Sequence, residues 1–220
     1  VSARDELARL APVLREAVKL GVPISVDTYK PQVMQAALDE GADIINDIWA
    51  LRWRATPDAL SGPQVIAAHP NCGICLMHMH QEPLTMQLTP MTGDVLPLVF
   101  SFLEFHTKYL RTLGVDSSRI VVDPGIGFGK TPEQNFALLA RQAELLTLGY
   151  PLLAGWSRKS SLAKLVGSDV SPIAGAHPRM VASVAAAVLA VERGAAIVRV
   201  HDVTETAQAL RVLREVSALK

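Results

Sequence analysis

The residues best suited to chemistry are Asp27, Asn46, His78, Asp123, Lys159 and the pair Arg199 and His201, and each group stands where a short apolar run stops. The carboxylate and amide groups of Asp27, Asn46 and Asp123 suit a flat heterocycle that presents several N–H donors. Arg199 and His201 are two apart, which on a strand puts both on one side, where they could grip an anion such as phosphate. Arg158 and Lys159 are adjacent and therefore point different ways; taken alone, they read as a solvated helix start. A heterocycle clamp beside an anion clamp suits transfer from a phosphate-activated ring compound. Helix caps at strand ends explain one such residue. Polar groups at every run's end, converging on one face of a sheet, point to a functional face.

The elements that must position these groups are clearest around Asp123. Residues 119–134 read R-I-V-V-D-P-G-I-G-F-G-K-T-P-E-Q. Ile120, Val121 and Val122 predict a strand buried on both faces, and Asp123 ends it. Glycines at 125, 127 and 129 then allow positive φ and close approach of a ligand to the main chain. Thr131, Pro132 and Gln134 predict a capping box and helix start. The stretch is not a nucleotide loop. Pro124 stands where a Walker A pattern needs glycine, and the alternate glycines do not match G-x-G-x-x-G.

The same grammar repeats along the chain. Apolar runs at 22–26, 42–45, 73–77, 120–122, 151–155 and 195–200 are each followed by a helix pattern, and a further helix opens the chain with Ser2 and Asp5 as its cap. Residues 81–92 and 167–177 read as loops. Strict alternation implies a parallel sheet. A doubly wound open sheet would accommodate six strands, whereas an eight-stranded barrel needs two more units and about 250 residues. Opening on a helix favours a barrel whose first units precede Val1. With no linker or low-complexity segment, residues 1–220 read as a single domain.

Bulk properties narrow the setting. Half the residues are hydrophobic and mean hydropathy is +0.26, enough for a sizeable core in a 23.7 kDa chain. A formal net charge of zero offers no field for nucleic acid or anionic lipid. Two cysteines make no disulfide framework, which favours a reducing, cytosolic setting. The longest apolar stretch, 181–191, is well short of the roughly 18–20 residues of a membrane span. Cys72 and Cys75 form a lone C-x-x-C without a second ligand pair and read as buried thiols. His78 and His80 imitate a metal pair, but Met77 and Met79 beside them suggest packing against a ring.

Six motifs, in order, carry a resemblance: S-V-D-T-Y-K-P (25–31), I-I-N-D-I (44–48), L-M-H-M (76–79), D-P-G-I-G-F-G-K (123–130), G-W-S-R-K-S (155–160) and R-V-H-D-V (199–203). Over its whole length the chain resembles the bacterial dihydropteroate synthases. The resemblance implies an α/β fold, a (β/α)8 TIM barrel with about six of the eight strand–helix units in this sequence, in a cytoplasmic homodimer. It implies a transferase of folate biosynthesis that uses Mg2+. The reaction condenses (7,8-dihydropterin-6-yl)methyl diphosphate with 4-aminobenzoate, giving 7,8-dihydropteroate and diphosphate. Asp27, Asn46, Ile48, Met77, Asp123, Phe128 and Lys159 would bind the pterin, and Arg199 and His201 the diphosphate. Ser157, Phe128 and Lys159 would border the 4-aminobenzoate site, where sulfonamides act in this family. Lys159, Asp27 and Asp123 would be the catalytic residues.

By the same resemblance, two further strands would precede Val1, each followed by a mobile loop. One loop carries an asparagine for metal and diphosphate, so no metal ligand is expected in this sequence. The other carries a Thr-Arg pair that closes over the aminobenzoate. Taken without them, the barrel would be open-edged and poorly active. Two alternatives stand beside this: a methyltetrahydrofolate-binding methyltransferase domain, which shares the Asp and Asn positions, and a non-catalytic pterin-binding paralogue, which the missing loops would permit. Ser157, Arg158, Lys159, Arg199 and His201 favour a diphosphate substrate over the first.

Overall fold

A computed structural model of the chain describes residues 1–166 and 176–219. Within it, strand and helix alternate and the paired strands run parallel, as the spacing of apolar runs predicts. The chain groups into two compact units: residues 1–78 with 101–122, and residues 79–100 with 123–220.

The first unit is built on β1 (Ser25–Asp27), β2 (Ile44–Asp47), β3 (Gly73–Met77) and β4 (Ile120–Asp123), hydrogen-bonded in that order. Register places Asp27 opposite Asn46 and Asp47 opposite Leu76, so strand ends line up. Helix α1 (Ala3–Ala17) starts where Ser2 Oγ accepts the Asp5 N–H, and α2 (Pro31–Asp39) buries Val33, Met34 and Ala37. A capping box of Ser61 and Gln64 starts α3 (Gly62–Ala68). Ile45, Ile74, Leu76, Leu103, Leu110 and Ile120 form the fully buried centre. Arg119, just before β4, donates to the carbonyls of Ile66, His69 and Cys72, each at 2.7 Å. It thereby ties the end of α3 and the turn after it to the start of β4.

Helix α4 (Leu96–Thr112) runs between the two residue groups in the chain. In the second unit, Thr131 and Gln134 form the expected capping box of α5 (Pro132–Ala140). The sequence pattern extends this helix to 148, but residues 142–148 tighten into a 3-10 helix. At its start Gln142 turns inward and donates to the carbonyls of Ala190 (2.8 Å) and Arg193 (3.3 Å). Strands β5 (Leu153–Ala154) and β6 (Ile197–Val198) pair over two residues each, shorter than the apolar runs. Between and after them lie α6 (Ser160–Val166), α7 (Met180–Glu192) and α8 (Val203–Ser217). Of the loop expected at 167–177, residues 167–175 lie outside the described residues. Among the described residues no helix is long and apolar enough to cross a membrane.

Candidate active site

In the first unit the ends of β1 and β2 present Asp27 and Asn46 side by side. The Asn46 amide donates to Asp27 Oδ2 at 3.0 Å, and its main-chain carbonyl accepts the Thr28 N–H at 3.1 Å. Asn46 is buried, whereas Asp27 is exposed and oriented by the amide. A carboxylate held this way can accept two hydrogen bonds from a ring that carries adjacent N–H groups. Asp27 and half-buried Ile48 line an open cavity of about 530 Å³, with Thr28 and Tyr29. Met77, at the end of β3, exposes no surface. His78 packs edge-on against Phe102, ring centroids 4.9 Å apart, which agrees with a packing role for the L-M-H-M segment. Cys72 and Cys75 are buried, and Cys72 Sγ accepts from Arg119.

The second unit gathers the other set. Asp123 is 1% exposed; its Oδ1 accepts the Gly125 N–H at 2.7 Å and its Oδ2 accepts from Arg199 Nη2 at 3.3 Å. Gly155 makes room for that arginine, since a Cβ there would fall 2.9 Å from Arg199 Nη2. The Lys159 ammonium lies 4.3 Å from the centre of the Phe128 ring. Its aliphatic stem passes over Gly127, where a Cβ would stand 3.3 Å from Lys159 Cδ. Ser157 Oγ accepts the His201 N–H at 3.1 Å and lies 2.8 Å from His201 Nδ1.

Arg158 and Lys159 diverge as adjacency requires, but Arg158 is no solvated helix start. It sits at φ 58, its N–H donates to Ser183 Oγ, its carbonyl accepts from Arg179 and its guanidinium pairs with Asp202 at 2.7 Å. These contacts hold a left-handed backbone that few side chains adopt. Two-residue spacing predicts one strand through Arg199 and His201, but they do not share one: the ladder ends at Val198, and the two reach different partners, Asp123 and Ser157. The ladder stops because β5 ends at Ala154, leaving the His201 amide to find the Ser157 hydroxyl instead.

Two residues of this set escape sequence reasoning. Lys130 is 4% exposed, and its Nζ donates to the carbonyls of Gly125 (2.9 Å) and Phe128 (3.2 Å). Burial drives its pKa down to about 7; the Asp123 carboxylate opposes that fall and Lys159 adds to it. Asn135 is wholly buried, accepting the Gly127 N–H at 2.9 Å and donating to Ser161 Oγ at 2.9 Å. Together they brace the glycine turn that carries Asp123 and Phe128. The only sequence signal for Lys130 is its place directly after the glycines.

Among the described residues no three His, Cys, Asp or Glu side chains gather as a metal cluster.

Comparison with known proteins gives these sets a context. The pterin binding enzyme family matches residues 1–201. The dihydropteroate synthase of Neisseria meningitidis serogroup B is 44% identical over 216 residues, covering 96% of this chain and 72% of that protein. The crystal structure of dihydropteroate synthase from Stenotrophomonas maltophilia, with imidazole in its active site, is 43% identical with a TM-score of 0.90, covering 100% of this chain and 79% of that one. A dihydropteroate synthase from Xanthomonas albilineans in complex with 7,8-dihydropteroate is 40% identical with a TM-score of 0.86, covering 99% and 78%.

Proposed function

This chain belongs to the pterin binding enzyme family, among its dihydropteroate synthases, and from that premise we propose which of its residues carry the reaction. The activity is that of a transferase in folate biosynthesis, joining (7,8-dihydropterin-6-yl)methyl diphosphate to 4-aminobenzoate. The fold class is the β/α barrel of that family, with six strand–helix units among the described residues.

Asp27 and Asn46 take N–H groups of the pterin, with Ile48 supplying apolar contact; Met77, expected to line the pocket, is wholly buried and backs it from the core instead. In the second unit, Asp123 is suited to accept from a ring N–H and Lys159 to donate to a ring acceptor, the pterin roles that the family resemblance gives them. Phe128 lines the pterin pocket and also borders the aminobenzoate. Arg199 and His201 hold the diphosphate, while Ser157 and the Lys159 stem border the aminobenzoate. The arylamine nitrogen forms a bond to the methylene carbon as the carbon–oxygen bond to diphosphate breaks. The bonding pair leaves with the diphosphate and the amine loses its extra proton to solvent. Developing negative charge falls on the leaving group, where a fixed guanidinium lowers the barrier. Holding the two reactants in line supplies the rest.

The observation that supports this most is the pair of Asp123 and Arg199. A buried carboxylate suited to a ring N–H is joined to a half-exposed guanidinium suited to an anion. The test is diphosphate release from the dihydropterin diphosphate with and without 4-aminobenzoate. Release that requires the aminobenzoate supports the assignment. Tight pterin binding without release would favour a binding module instead.

The reading extends to a cytoplasmic homodimer. Val181 on α7 and Val212 and Val216 on α8 are more than half exposed, and α7 and α8 line an apolar groove of about 550 Å³. Such a face is what a second copy would cover. Val181→Glu should shift the protein from dimer to monomer in sedimentation; an unchanged mass would overturn the assignment of this face.

A further inference from the structure

The unexplained group closest to the proposed pterin residues is Asp47. It follows Asn46 on β2, exposes no surface, and is absent from every role assigned above. Its two carboxylate oxygens are fully used: Oδ1 accepts the Trp49 N–H and Oδ2 the Leu51 N–H, both at 2.7 Å. Between those contacts the backbone does something costly. Ala50 and Leu51 lie consecutively in the left-handed region, at φ 52 and φ 60, and neither is glycine. Both are buried, and Leu51 is pressed against α3, where a Cβ on Gly62 would fall 2.8 Å from Leu51 Cδ2. Two strained residues in a row persist only where the surroundings over-determine them, and such strain gathers at ligand clamps.

The turn that Asp47 closes holds Ile48 at its start and Trp49 beside it. Trp49 in turn meets Tyr29 edge-on, centroids 5.5 Å apart, on the loop that follows Asp27. Asn46, immediately before Asp47, orients Asp27. One carboxylate thus sets the backbone on which two of the proposed pterin residues stand.

We propose that Asp47 is a positioning residue for the pterin: its carboxylate locks the left-handed pair Ala50 and Leu51 and so fixes Asn46 and Ile48 before the ligand arrives. This rests on the pterin reading above. It goes beyond that reading in assigning pterin affinity to a side chain that touches no substrate. The charged groups facing Asp47 are Asp27 from β1 and Arg52 from the turn; from β3 its register partner is Leu76, which does not titrate. Burial pushes the Asp47 carboxyl up to about 7, with Asp27 adding to the rise and the two amides and Arg52 opposing it. The lock is therefore tightest above neutrality, where the carboxylate is ionised.

The experiment uses the full chain and 6-hydroxymethyl-7,8-dihydropterin as the binding probe, which requires no turnover. Asp47→Asn keeps the shape but turns an N–H toward an amide it must accept from. Its probe affinity should fall about tenfold, the scale of one displaced hydrogen bond. The KM for 4-aminobenzoate should stay within about twofold, since that ratio is worth less than a single hydrogen bond. Adding Ala50→Gly, which adopts φ 52 without strain, should restore a large part of the lost affinity. A merely structural role would give neither the split between substrates nor the rescue. Unchanged probe affinity in a folded Asp47→Asn variant overturns the proposal, as does equal loss for both substrates or no rescue by glycine. Should Asp47→Asn fail to fold, wild-type affinity decides: it should fall from pH 8 to pH 6 in step with the carboxyl carbon resonance of Asp47. A flat profile refutes the lock. Probe binding without diphosphate release would count against the synthase reading alone.

Discussion

Replacing Arg199 by alanine separates two jobs that the structure gives one side chain. The guanidinium stands 3.3 Å from Asp123 Oδ2, and Asp123 is 1% exposed while Arg199 is 38% exposed. At an effective dielectric near 20 the gross attraction is about 5 kcal/mol. Solvent reaching the arginine reduces its net worth to about 1 kcal/mol. Asp123 keeps the Gly125 N–H on its other oxygen, so its orientation should survive. A charge-assisted bond to the substrate's diphosphate adds about 1.5–3 kcal/mol. The sum predicts a fall of about 10²–10³-fold in kcat/KM for the dihydropterin diphosphate. Hydroxymethyldihydropterin lacks the diphosphate and should lose only about fivefold in affinity, the share owed to Asp123. Continuous diphosphate release measures the first and calorimetry the second. Equal losses would refute the anion role and leave Arg199 as a partner of Asp123 alone. No loss in either would refute both.

Two further substitutions test the glycine turn. Gly129→Ala meets φ 70, worth about 1–2 kcal/mol, and also a Cβ 2.5 Å from His80 Cβ. Gly21→Ala, at φ 67 with open space around it, carries the backbone cost alone. Urea midpoints should therefore fall further for Gly129→Ala, and equal shifts would disprove the close approach. Lys130→Met removes a buried ammonium whose pKa is lowered to about 7. The folded chain releases that proton between about pH 7 and 10.5 while the unfolded chain holds it, so wild-type stability gains up to about 1.4 kcal/mol per pH unit there. Unfolding measured at pH 7 and pH 9.5 should show wild type rising relative to Lys130→Met. A constant difference would mean the ammonium stays charged throughout.

Local grammar was legible and long-range pairing was not. Thr131, Pro132 and Gln134 announce their helix because a capping box satisfies its own donors within four residues. Asp27 and Asn46 were found because strand ends mark themselves by a change from apolar to polar. The Arg199 contact to Asp123 joins residues 76 apart in sequence, and nothing near either one predicts it. Lys130 illustrates a second blind spot. A lysine after glycines reads as exposed, and it takes the folded turn, with the carbonyls of Gly125 and Phe128 aimed at Nζ and the Asp123 carboxylate nearby, to give a buried ammonium a reason to exist. Strand length failed for a similar reason: residues 195–200 are apolar enough for a full strand, but β6 can pair only as far as β5 extends. The consecutive left-handed residues Ala50 and Leu51 carry no glycine signal, because Asp47 rather than residue type imposes their conformation.

The glycine turn also bears on how this protein can change under drug selection. Where a side chain lines a ligand site, a single codon change can reshape the wall. In the turn that carries Phe128 the shape is set by main chain: Gly127 lies under Lys159 at φ 83 and buried Gly129 against His80 at φ 70. Any other residue at those positions costs about 1–2 kcal/mol in backbone alone before it touches an inhibitor. A compound whose contacts fall on this stretch therefore meets a surface that evolution can scarcely edit. Escape would have to arise elsewhere, at positions whose side chains are free to vary.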